Sequence, residues 1–74
     1  MNIYYASLVH GLCGYYVKFS APSEGIVRKY LGTYFGRLWC SVYTPADMNE
    51  LSHKYPTTII NEDKPIHLTT GNWE

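Results

Sequence analysis

The sequence carries no charge excess, no long apolar run, few cysteines and no catalytic signature, and each absence removes a class of function. Six Lys and Arg balance six Asp and Glu, for a formal net charge of zero. Nucleic-acid binders ordinarily carry a basic surplus that displaces counterions from phosphate. The cations here (Lys18, Arg28, Lys29, Arg37, Lys54 and Lys64) are scattered, and only Arg28 and Lys29 adjoin. Direct nucleic-acid binding is therefore disfavoured, and the chain is not acidic enough to imitate DNA. No apolar stretch approaches the ~20 residues of a membrane span. The opening, MNIYYASLVHG, lacks the basic start of a secretory signal and reads as a strand. Two cysteines, Cys13 and Cys40, are fewer than a small secreted domain uses as staples, which favours reduced thiols and a cytoplasmic setting.

Catalytic and metal chemistry find little to work with. His10 and Cys13 make one H-x2-C pair, but no second close pair answers it, while Cys40, His53 and His67 stand apart. A thiol nucleophile at Cys13, in a glycine-bounded turn, would need a histidine brought to it by the fold. Asp47 is occupied as a helix cap, Glu24 and Glu50 fall on exposed helix faces, and Glu62-Asp63 reads as a turn. No phosphate-binding, dinucleotide or nucleophile-elbow pattern occurs. No catalytic, cofactor or metal residue is assigned, and the expectation is a protein that is not an enzyme.

What is present is apolar and aromatic. A hydrophobic content of 46% against 16% charged residues is that of a folding chain rather than a disordered one. Seventy-four residues suit a single domain over 1–74 with a thin core. Ile3 to Val9 and Tyr15 to Ser20 are rich in β-branched and aromatic types and flank two glycines, as in a β-hairpin. A helix follows, capped at Ser20 or Ser23, with Ile26, Val27, Tyr30, Leu31 and Tyr34 on one stripe and Gly36 as its stop. Arg37 to Tyr43 alternates as a third strand. Thr44-Pro45-Ala46-Asp47 then opens a second helix by the capping-box pattern, running to Lys54 ahead of Pro56, with Met48, Leu51 and Tyr55 as its inward candidates. Thr57 to Ile60 is a fourth strand, Asn61 to Lys64 a turn, and Ile66 to Thr69 a short edge strand. The predicted fold is α+β: a small mixed sheet in β-β-α-β-α-β order, the first helix packed on one face.

Neighbours on a strand point to opposite faces, so the pairs Tyr4-Tyr5 and Tyr15-Tyr16 must divide. A four-residue loop over 11–14 pairs Leu8 with Val17 and Ala6 with Phe19. Tyr4, Ala6, Leu8, His10, Tyr15, Val17 and Phe19 then form the core face. In the third strand Leu38, Cys40 and Val42 join them. The second face collects Tyr5, Ser7, Val9, Tyr16, Lys18, Trp39, Ser41 and Tyr43. Tyrosine and tryptophan are the side chains enriched at binding hot spots. The expected partner-binding residues are therefore Tyr5, Tyr16, Lys18, Trp39 and Tyr43, unless the second helix or the tail ending in Trp73 covers this face as a second core layer. A homodimer interface is a further use of the same surface.

A tiny, aromatic-rich α+β domain without a catalytic motif resembles in type the small accessory proteins of phages and mobile elements, anti-CRISPR proteins among them. The resemblance implies inhibition of a host defence nucleoprotein complex, in the host cytoplasm, by occlusion or by blocking a conformational step, through contact with a host protein by shape and aromatic surface. It rests on no motif and transfers no residue. The rival expectation is a small nucleic-acid-associated regulator acting through Arg28 and Lys29.

Overall fold

The structure is a computed structural model and describes residues 1–9 and 14–69. Its elements are β1 (Asn2–Leu8), β2 (Tyr15–Ala21), α1 (Glu24–Tyr34), β3 (Trp39–Tyr43), α2 (Pro45–Lys54), β4 (Thr58–Ile59) and β5 (Ile66–His67). The chain is α+β, with a mixed sheet in the order β3-β1-β2-β4, and β5 joins the same side of β2 as β4. β1 pairs antiparallel with β2 and β3, whereas β4 and β5 run parallel to β2. The link from β2 to β3 thus crosses the sheet one way through α1. The link from β3 to β4 crosses back through α2.

α1 covers the core face. Ala6, Leu8, Val17, Phe19, Ala21, Val27, Leu31 and Leu68 form one buried cluster, with Ile26, Tyr30, Phe35 and Ile66 packed around it. Phe19, Leu31, Leu68 and Val27 are the largest fully buried side chains. Burying each of these is worth about 1.5–3 kcal/mol. Tyr34, expected on the buried stripe, lies 56% exposed at the last position of α1, with its ring against Tyr30. Ser23 is the N-cap residue of α1 but makes no side-chain cap bond, and Pro22 lies before the helix rather than in its first turn. Gly36 ends α1 as predicted. Its φ of 56° is left-handed, and its N–H donates to the Leu31 carbonyl at 3.0 Å.

α2 starts on a complete capping box. Asp47 N–H donates to Thr44 Oγ1 at 3.2 Å, and Thr44 N–H donates to Asp47 Oδ2 at 3.3 Å. Met48 is buried yet belongs outside the α1 cluster. The buried and half-buried apolar groups also outside that cluster include Tyr5, Tyr16 and Tyr43, so α2 lies on the second face, against β1 and β3. Crossovers between parallel strands are right-handed as a rule, and under that rule two that run in opposite directions put their helices on opposite faces. Tyr55 caps α2 and is exposed rather than inward.

Two registers depart from expectation. In the hairpin, Ala6 is opposite Val17 and Ser7 opposite Tyr16, two residues from the expected pairing. A shift by two keeps every side chain on its face, so the hairpin's division into faces stands. The expected loop, with His10 and Cys13, lies largely outside the described residues. In β3, Ala6 is opposite Val42 but Leu8 is opposite Trp39, so Cys40 and Ser41 together oppose Ser7 in a β-bulge. The extra residue inverts the start of the strand. Trp39 joins the core face, while Leu38 (45% exposed) and Cys40 (exposed) are not inward, contrary to expectation. Ser7 stabilises the bulge by accepting the Ser41 N–H on its Oγ at 3.1 Å.

The edge of β2 is closed by an unusual device. β4 serves Tyr15 and Tyr16, β5 serves Phe19 and Ser20, and Lys18 falls in the gap between them. Asn61 fills that gap with its side chain. Lys18 N–H donates to Asn61 Oδ1 at 2.6 Å, and Asn61 Nδ2 donates to the Lys18 carbonyl at 2.9 Å. The carboxamide thus presents one acceptor and one donor where a strand residue would present its own.

Candidate functional site: the tyrosine face

The second face is built in rows. Lys18, Tyr5 and Tyr43 are successive partners across β2, β1 and β3, so their side chains stand side by side. In the next row Tyr16 stands beside Ser7, whose small side chain leaves room above it. Tyr43 leans across that space to meet Tyr16 edge-on, with ring centroids 6.1 Å apart and planes at 65°. Tyr16 is only 8% exposed, and Tyr5 and Tyr43 are half-buried. Burial raises the Tyr16 phenol above its ordinary pKa, and the neighbouring Tyr43 adds to the rise. This ring is a packing residue of the second layer more than a free contact.

Lys18 is held from both ends. Asn61 ties its backbone, and its ammonium lies 3.5 Å from Glu62 Oε1, leaving the side chain 19% exposed. Trp39 is absent from the face because of the bulge. It faces α1, where the Arg28 guanidinium sits 5.8 Å from the ring centroid and bonds Glu24 at 2.9 Å. Four of the five expected contact residues therefore share a face and Trp39 does not. Arg28, the centre of the nucleic-acid expectation, is already engaged by a carboxylate and an indole.

α2 covers this face only in part. It packs chiefly on β1 and β3, although Tyr16 of β2, on the same face, is buried as well. The row thus runs from Tyr43, beside α2, to Lys18, beyond it. Along β3 a groove of about 440 Å³ opens between strand and helix, lined by Arg28, Tyr43, Asp47, Glu50, Leu51 and Lys54 among others. The helix residues in this lining follow i, i+3, i+4, i+7 spacing, a legible stripe whose position beside a strand edge was not legible.

Among the described residues no three of His, Cys, Asp and Glu converge in a metal-binding group. Among the described residues no helix is long and apolar enough to cross a membrane. No protein-family model matches the chain, and neither does any curated protein or solved structure.

Proposed function

We propose that the chain is a non-enzymatic protein-binding module whose contact surface is the Lys18–Tyr5–Tyr43 row. The observation that carries this reading is the row itself: Tyr5, Tyr43 and Lys18 stay only half-buried while α2 packs chiefly on β1 and β3. Half-buried tyrosines beside a restrained lysine offer apolar area with little rotamer entropy to lose on binding. Tyr16 supports the row from the side through its edge contact with Tyr43, and Trp39 is left out of the contact set. The resemblance in type to phage accessory proteins makes a protein of a host defence nucleoprotein complex the partner class, and occlusion the mode of inhibition.

The test compares capture of candidate host complexes by the wild type, Tyr5→Ala and Lys18→Glu, with folding monitored by circular dichroism. Truncation of a central aromatic contact weakens binding by roughly 30-fold or more. Trp39→Phe should bind as the wild type. Undiminished capture by a folded Tyr5→Ala, Lys18→Glu double variant would sink the proposal.

A further inference from the structure

The sheet has one unprotected margin. β3 ends the strand order, and among the described residues no strand pairs with its outer side. On the opposite margin the strands are two residues each, with Asn61 between them. Exposed edges are usually blunted by lysine, proline or brevity. β3 reads WCSVY over five residues and carries only its bulge. Ser41 turns its N–H toward β1, where Ser7 accepts it, so the next N–H along the strand, that of Val42, turns outward.

The groove beside this edge supplies the occupant's chemistry. Its helical wall is acidic at the N-terminal end, with Asp47 and Glu50, and basic at the C-terminal end, with Lys54. A stripe of that kind complements its own reverse. We propose that β3 pairs antiparallel with β3 of a second copy of this chain, joining two sheets about a two-fold axis. The axis sets the two α2 helices side by side and antiparallel on one face. Asp47 of each copy then meets Lys54 of the other, and Glu50 comes opposite Leu51 near the axis. The zero net charge imposes no long-range repulsion between copies, and Arg28 is paired with Glu24 on its own helix. The pairing uses the edge and the groove that Tyr43 lines, and leaves the Lys18 end of the tyrosine row open, so the two surfaces share Tyr43 alone.

The experiment is sedimentation equilibrium of the full chain from micromolar to millimolar concentration, with amide exchange at Val42 followed across the same range. A reversible monomer–dimer equilibrium is expected, with protection of the Val42 amide rising as dimer forms. Lys54→Glu, which sets two carboxylates against each other across the axis, should weaken dimerisation by at least roughly tenfold. Mixing Lys54→Glu with Asp47→Lys should restore a heterodimer that neither variant forms as a homodimer. Asp47→Lys also removes a cap acceptor, so its helicity is checked first, and Lys54→Glu decides the matter if that variant does not fold. A monomer throughout, a dimer with an unprotected Val42 amide, or a Lys54→Glu dimer of unchanged strength would each overturn the proposal.

Discussion

Asn61 is the residue whose loss tests the architecture most directly. Its carboxamide makes two hydrogen bonds with the Lys18 backbone, at 2.6 and 2.9 Å, in a half-buried setting. A third, to the Lys64 carbonyl at 3.3 Å, is exposed and weak. Each net intramolecular hydrogen bond contributes about 0.5–1.5 kcal/mol, so losing the two Lys18 bonds in Asn61→Ala should cost about 1–3 kcal/mol. Domains of this size are stable by about 4–11 kcal/mol, so the loss is a large fraction of the total. Asn61→Asp is the informative partner variant. It keeps the acceptor for the Lys18 N–H but sets a second oxygen against the Lys18 carbonyl, so at neutral pH it should fare no better than alanine. Urea unfolding followed by far-ultraviolet circular dichroism measures both costs, and amide exchange at Lys18 reports the gap itself. If Asn61→Ala lies within about 0.5 kcal/mol of the wild type, as an ordinary surface change does, and Lys18 stays protected, the side-chain bridge does not hold the edge together.

Phe19→Ala removes a fully buried ring from the centre of the α1 cluster and should cost about 3–5 kcal/mol, read as a lower urea midpoint or outright unfolding. Thr44→Ala removes half of the capping box and should cost about 1 kcal/mol, visible as lost helicity and an earlier thermal midpoint. Burial holds the folded pKa of Tyr16 above that of an ordinary tyrosine, so its contribution is fully present below the ordinary value and is lost as pH rises through the folded value. Wild-type stability should therefore fall above about pH 10 more steeply than that of Tyr16→Phe, and parallel alkaline limbs would contradict the burial argument.

How much of this was legible before folding can be argued residue by residue. The capping box at Thr44–Asp47 and the stop at Gly36 depend on backbone groups within one turn, so local sequence sufficed for both. The division of β1 and β2 into two faces survived a two-residue error in register because strand alternation has period two. The same alternation failed in β3, where one extra residue opposite Ser7 sent Trp39 to the side of α1 and left Leu38 and Cys40 outside the core. Nothing in WCSVY announces the bulge. It depends on Ser7, more than thirty residues earlier, offering its hydroxyl to Ser41. The role of Asn61 was hidden likewise, since it reads as a turn residue and becomes a strand surrogate only where β4 and β5 leave Lys18 unpaired.

The sequence by itself thus determined the elements, their order, the two caps and the existence of an apolar and a tyrosine-rich face, all of which follow from contacts within a turn or from strand periodicity. Tertiary structure decided which tyrosines remain open, where Trp39 points, and which margin of the sheet is bare. Each of those turns on pairings between segments far apart in the chain, where a single inserted residue or a single side-chain amide redirects the backbone and local propensity has no say.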